Sequence, residues 1–238
     1  ISSAEDMIKW MQFQLNNGIN GKDTLFTKRE QTTMWTPHVN YPVSDRAREV
    51  YGGRNFNGYG LGWGTTEYHG KQMVSHTGGY DGMYSAVTML PTEKIGVVIL
   101  TNTMDGIGTL LSYEIIDRLL GLPQQDWKNR GINQDKGHWA DRAARIKERT
   151  DARIMGTKPS MDVVAISGLY RCPLFGDIRI LEENGKLTID FVHSPQLKAR
   201  LSHWHNDTYQ LEWLEEQAWF EFGTVQIQMN NSGKPSGL

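Results

Sequence analysis

One stretch of this chain sets a titratable ring, a hydroxyl and paired glycines side by side: His76, Thr77, Gly78 and Gly79, within Lys71-Gln72-Met73-Val74-Ser75-His76-Thr77-Gly78-Gly79-Tyr80-Asp81-Gly82. A strand running into two glycines exposes backbone with no side chain above it, so a ligand or a second chain can approach closely. That is useful for recognition. The same residue types also suit a glycine-rich hairpin with an incidental histidine, and spacing alone leaves both readings open.

A nucleophile is the next requirement, because most hydrolases without metals need one. No serine is followed three positions later by lysine, none sits in a Gly-x-Ser-x-Gly elbow, and no tyrosine or serine has asparagine two positions on. The single cysteine, Cys172, adjoins Pro173 with no evident base beside it and reads as a structural thiol. One cysteine excludes an intrachain disulfide and any multi-cysteine metal site. His203 and His205, two apart on a strand, point to the same side, and His193 is a conceivable third ligand. They serve equally well as half-buried sheet residues beside Trp204, so no metal and no cofactor is assigned.

The 238 residues suffice for one large domain or two small ones, and the formal net charge of -2 comes from interspersed acids and bases. No field of one sign exists to hold nucleic acid or an anionic membrane. No apolar run approaches bilayer length, and no signal-peptide pattern opens the chain. The first residues are Ile1-Ser2-Ser3 rather than methionine, which implies a natural start upstream.

The elements that must position these residues can be read from caps and periodicity. Ser2 and Ser3 are candidate caps for a helix carrying Ala4, Met7, Ile8, Met11 and Leu15, stopped by Gly18. Thr27 and Glu30 have capping-box spacing for a second helix ending before Pro37, and Thr36 to Asn57 reads as a long loop. Strands are expected over Tyr59 to Tyr68, Lys71 to Thr77, Met83 to Leu90 and Ile95 to Thr101, the last apolar enough to be buried on both faces. Pro91-Thr92-Glu93-Lys94 joins the final two as a hairpin. A helix with Ile107, Leu110, Leu111, Ile115 and Leu119 on one face follows, with Gly121 and Pro123 as its stop.

From Asp126 to Met161 charged residues dominate, giving a helical linker over Trp139 to Ile154 whose Arg142, Arg145, Lys147, Arg149 and Arg153 read as a solvated face. Beyond Gly168-Leu169-Tyr170 short strands recur: Asp177 to Leu181, Leu187 to Phe191 after an Asn184-Gly185 turn, Ala199 to His205, Tyr209 to Trp213, Trp219 to Phe222 and Val225 to Met229. Close spacing with turn residues predicts a small antiparallel barrel or sandwich. The fold class is therefore α+β: an antiparallel sheet with helices over 1–122, a helical linker over 123–162 and a small antiparallel β-barrel domain over 163–238.

Four motifs in order carry a resemblance: Ser3-Ala4-Glu5-Asp6-Met7 with Trp10; Tyr59-Gly60-Leu61-Gly62-Trp63; His76-Thr77-Gly78-Gly79 with Gly82; and Leu90-Pro91 before Ile95 to Asn102. Together they resemble the later part of the β-lactamase-related serine hydrolases, which share the β-lactamase/transpeptidase-like sheet. That superfamily includes class C β-lactamases, D-aminopeptidases, D-Ala-D-Ala carboxypeptidases, certain esterases and CubicO-type peptidases. The second half, with Thr157 to Ser160, Gly168-Leu169-Tyr170, Asn184 to Leu187, His203-Trp204 and Gly233-Lys234, is similar to the lipocalin-like C-terminal domain of CubicO-type proteins. Such a domain is expected to continue past Ser236-Gly237-Leu238 into a last strand.

The resemblance implies an acyl-enzyme mechanism in which Ser-x-x-Lys and Tyr-x-Asn lie upstream, and this chain supplies the third motif. His76, Thr77 and Gly78 would bind an extended substrate along the strand edge, and the Gly79 amide would be one oxyanion donor. Histidine stands where β-lactamases usually carry lysine, so a permanent cation for a substrate carboxylate is missing. This shifts the expected substrate from β-lactams to small molecules or peptides, including those with D-residues, and to related amides or esters. Trp63 and Tyr80 are possible pocket walls or simple packing. The chain alone is expected to be inactive, and to need the upstream half of the domain or self-association to cover an apolar face. An extracytoplasmic location, periplasmic or secreted, is implied by the resemblance only. The competing expectation is a non-catalytic protein that binds a ligand or partner on a degenerate penicillin-binding fold.

Overall fold

The computed structural model describes residues 2–80, 82–104, 106–217 and 221–238. The chain forms two compact units, Ile1–His138 and Trp139–Leu238.

In the first unit, the Ser3 side chain accepts from the Asp6 amide and starts α1 (Ala4–Leu15). A short hairpin, β1 (Ile19–Asn20) with β2 (Asp23–Thr24), leads to α2 (Lys28–Trp35). The capping box forms there: the Glu30 amide donates to Thr27 Oγ1, and the Thr27 amide donates to the Glu30 carboxylate. The segment expected to be one long loop instead holds β3 (Val39–Asn40) and α3 (Asp45–Val50), capped by Ser44. Neither is long enough to leave a periodic signature, and both depend on partners elsewhere. The His38 and Tyr41 amides bond to carbonyls of Tyr59 and Asn57, and Tyr51, just past α3, packs on Tyr113 and Trp127.

Where one strand was expected from Tyr59 to Tyr68 there are two, β4 (Asn57–Tyr59) and β5 (Gly64–Tyr68). The chain reverses through Gly60-Leu61-Gly62-Trp63: the Gly60 amide donates to the Trp63 carbonyl at 2.7 Å, and Gly62 has φ 77°. The Leu61 amide donates to the Met34 carbonyl at 2.9 Å, stitching the turn to the end of α2. A Cβ on Gly60 would lie 2.1 Å from that carbonyl oxygen, a backbone atom that cannot swing away. Gly60→Ala is therefore expected to cost about 1–3 kcal/mol, the range for forced overpacking, read as a lowered urea midpoint.

β6 (Lys71–Tyr80), β7 (Met83–Leu90) and β8 (Ile95–Thr101) complete an antiparallel sheet of order β3-β4-β5-β6-β7-β8. Alternation sends Val74, Val87 and Met89 to one face, packed with Met11 and Leu15 of α1, Trp35 and Trp63. Met73, Leu90 and Val97 go to the other face, against Tyr113 and Ile116 of α4 (Ile107–Leu120). β8 thus has a helix on each side, but it is an edge strand, and burial on both faces is incomplete: Val97 is buried while Leu100 stays 41% exposed. α4 ends at Gly121 in the left-handed region, φ 65°.

The next helix, α5 (Trp127–Asp151), starts twelve residues before the expected Trp139. The reason is tertiary. The Trp127 indole N–H donates to the Asp117 carboxylate at 2.7 Å, and its ring stacks on Tyr51 and Tyr113 with centroids 5.9 and 4.9 Å away. Asp117, fully buried, also accepts from the Tyr68 hydroxyl.

In the second unit, α6 (Val163–Ile166) precedes β9 (Gly168–Tyr170), β10 (Ile178–Glu183), β11 (Lys186–Phe191), β12 (Lys198–His205), β13 (Thr208–Trp213) and β14 (Gly223–Gln226). These strands pair in sequence order as a curled antiparallel meander, a half-barrel with β9 and β14 at its ends. Asn184 and Gly185, at φ 54° and 77°, make the tight turn between β10 and β11. Ile180, Leu187, Ile189, Ala199, Leu201 and Tyr209 form the core with Ile166 and Ile227. The strand expected over Val225 to Met229 breaks at Ile227, whose amide turns to the Asp207 carbonyl at 2.9 Å. Beyond it β15 (Gln228–Met229) pairs instead with β16 (Pro235–Gly237). Of the strand expected from Trp219 to Phe222, Trp219 and Phe220 lie outside the described residues, and Glu221 and Phe222 precede β14 without being part of it.

Candidate functional site

β6 runs well past one of its neighbours. β5 pairs with it from Tyr68↔Lys71 to Gly64↔Ser75 and starts no earlier, whereas β7 pairs with it up to Tyr80↔Met83. Residues 76–80 therefore have a partner strand on the β7 side only, and His76, Thr77, Gly78, Gly79 and Tyr80 are all exposed.

The direction of the free backbone groups follows from antiparallel geometry. Tyr68 and Lys71 flank a two-residue turn and form the closing hydrogen-bonded pair, so residues 71, 73 and 75 direct their amides and carbonyls to β5. Continuing the alternation, Thr77 and Gly79 direct theirs to the side where β5 is absent, while His76 and Gly78 bond toward β7. The Gly78 carbonyl accordingly also accepts from Ser85 Oγ of β7, at 3.3 Å. The four expected residues thus split into two roles. Two offer backbone groups to the open edge, and two hold the hairpin that presents it.

The side chains sort likewise. His76 Nε2 lies 2.9 Å from the hydroxyl of Tyr59, the last residue of β4. Tyr59 is the functional candidate that residue spacing missed. It stands in the Tyr59 to Trp63 motif, yet no periodicity links it to a position seventeen residues away. Trp63, by contrast, is 6% exposed and stacked on Trp10 at 5.3 Å, so it packs in the core. Tyr80 is 72% exposed.

The remaining candidates are engaged in holding structure. His203 Nε2 is 2.9 Å from the Asn206 carbonyl, and His205 Nδ1 accepts from the Ile154 amide at 3.2 Å. Among the described residues no group of three His, Cys, Asp or Glu side chains is placed to bind a metal ion. Within the basic stripe, Arg153 donates to the carbonyls of Trp204 and His203 at 2.7 and 3.0 Å and lies over the Trp204 ring. No helix of the described residues is long and apolar enough to cross a membrane.

Comparison with known proteins adds the following. Residues 1–119 match the family described as Beta-lactamase, and residues 152–238 match a domain of unknown function, DUF3471. A protein named Unguisins hydrolase ungD, from Aspergillus violaceofuscus (strain CBS 115571), is 41% identical over 71 residues, covering 29% of this chain and 12% of that protein. Unguisins hydrolase ungD' of Aspergillus campestris (strain IBT 28561) is 34% identical over 133 residues, covering 53% of this chain and 23% of that protein. The chain thus spans less than a quarter of the length of these curated relatives. Among solved structures, the octameric penicillin-binding protein homologue from Pyrococcus abyssi aligns with 95% of this chain and 43% of its own, at 16% identity and a TM-score of 0.45.

Proposed function

This chain belongs to the β-lactamase family over residues 1–119, and from that premise we propose that it supplies the substrate-binding edge and an oxyanion donor of a serine hydrolase acting through an acyl-enzyme. The observation that carries the reading is the overshoot of β6, which leaves residues 76–80 without a partner strand on the β5 side. An extended substrate adds there as a strand, bonding to Thr77, and its reacting carbonyl oxygen reaches the Gly79 amide. The nucleophilic serine, its lysine and the tyrosine base come from sequence upstream of Ile1, because no Ser-x-x-Lys or Tyr-x-Asn occurs in the chain. Relatives named as hydrolases favour bond hydrolysis. With His76 in place of a lysine, the substrate class is a peptide, with D-residues among the candidates, or a related amide or ester.

In this reading residues 1–122 are the later part of the hydrolase domain, 123–162 a helical linker and 163–238 a lipocalin-like domain. Leu61, Tyr80 and Met83, which are 54%, 72% and 49% exposed near the open edge, would be covered by the upstream half of the domain or by a second copy.

Labelling with a fluorescent fluorophosphonate tests the reading. The whole protein is expected to take the label on a serine upstream of residue 1, and the chain 1–238 alone is expected to take none. A label within 1–238 would mean another nucleophile. A whole protein that takes none would sink the enzyme and leave a ligand-binding protein.

A further inference from the structure

The contact between Tyr59 and His76 joins two motifs of the sequence, only one of which the proposed mechanism uses. β4 and β6 are not neighbours in the sheet, since β5 lies between them. β5 begins only at Gly64, which is in register with Tyr59 on one side and with Ser75 on the other. The Tyr59 hydroxyl lies 2.9 Å from Nε2 of His76, which is one residue past the last position of β6 that pairs with β5. Nδ1 of His76 has no partner among the described residues, and the ring is exposed beside the open edge.

We propose that Tyr59 is a positioning residue that fixes the tautomer of His76: its hydroxyl donates to Nε2, so the ring carries its proton on Nδ1 and offers that N–H to the substrate. The direction follows from the two groups. A phenol is a better donor than acceptor, and an unprotonated imidazole nitrogen is a good acceptor, so O–H to Nε2 is the favoured sense. In a neutral imidazole the hydrogen bond made by one nitrogen decides which nitrogen holds the proton. The consequence is chemical selectivity: a neutral N–H donor recognises a carbonyl or amide oxygen of the substrate, where a lysine would select a carboxylate. The inference rests on the substrate-edge reading for its purpose, but the tautomer itself does not.

The test is a two-bond proton–nitrogen correlation on the 15N-histidine-labelled chain, recorded near pH 8, above the usual imidazole range. The His76 signal is assigned by its loss in His76→Gln. The wild type is expected to show a protonated Nδ1 and a bare Nε2. Tyr59→Phe keeps the ring and removes only the hydroxyl, and is expected to move the proton toward Nε2 while the backbone amide spectrum elsewhere is unchanged. In the whole protein the same substitution should raise KM about fivefold with kcat held, the scale of one neutral hydrogen bond. A wild-type ring protonated on Nε2, or a tautomer indifferent to Tyr59→Phe, overturns the proposal. A tautomer that answers to Tyr59 in a protein that takes no fluorophosphonate label keeps this pair and removes the hydrolase reading, and a labelled protein with an indifferent tautomer does the reverse.

Discussion

Replacing Gly79 with proline is expected to lower the kcat of the whole protein by about two to three orders of magnitude, the loss measured when one oxyanion donor is removed, while the fold survives. Proline deletes the amide hydrogen and nothing else that the sheet needs at this position. Gly79 faces the side of β6 where β5 is absent, so its N–H belongs to no ladder, and proline is tolerated on such an edge. Gly78→Pro is the control. That amide bonds toward Ser85 on β7, so the variant should lose the end of the hairpin and be detected by circular dichroism and proteolysis rather than by kinetics alone. Steady-state hydrolysis of an activated ester decides the matter. A Gly79→Pro enzyme with kcat within tenfold of wild type would remove Gly79 from the oxyanion role.

The largest stability effect is expected at Asp117→Ala, about 2–6 kcal/mol, the range for leaving two buried donors without an acceptor. Asp117 is fully buried, accepting from the Tyr68 hydroxyl and from the Trp127 indole at 2.7 Å. Truncation would strand both donors in an apolar cluster, each costing about 1–3 kcal/mol. Urea unfolding measures this, and Asp117→Asn, which keeps one acceptor oxygen and the volume, should lose clearly less.

The same cluster makes stability fall at alkaline pH. Burial, and then the hydrogen bond to Asp117, raise the pKa of Tyr68, and burial raises that of Tyr113 against the opposing Arg54 guanidinium. Below the ordinary phenol value of 10.0 both groups are neutral whether the chain is folded or not, and their contribution to stability is fully present. Above it the unfolded chain releases protons that the folded chain retains, so stability declines as pH rises. Asp117→Ala should flatten that decline, since one of its causes is then gone.

Much of this architecture is written in short-range patterns. Ser3, the Thr27 and Glu30 box, Gly121 and Asn184-Gly185 each act within a few residues of themselves, so their local chemistry places the helix ends and turns where they occur. The alternation in β7 likewise needs only a sheet with helices on both faces. The misjudged elements all depend on distant partners. The reversal at Gly60 exists because the backbone there must meet the Met34 carbonyl, and the early start of α5 because Trp127 finds Asp117. Met34 and the Gly60 turn are far apart in sequence, and Asp117 and Trp127, although ten residues apart, lie on different helices, α4 and α5, so no local periodicity links either pair.

The open edge divides in the same way. His76-Thr77-Gly78-Gly79 by itself determined that a strand would run into side-chain-free backbone, and its resemblance named a substrate edge. Only the tertiary structure decided which backbone groups are free, because that depends on where β5 begins: a strand starting at Gly64 leaves the amides of Thr77 and Gly79 unpaired and brings the Tyr59 hydroxyl to His76. Residue types fix what chemistry a segment can perform, whereas strand register, set by contacts many residues apart, fixes which of its atoms are left to perform it.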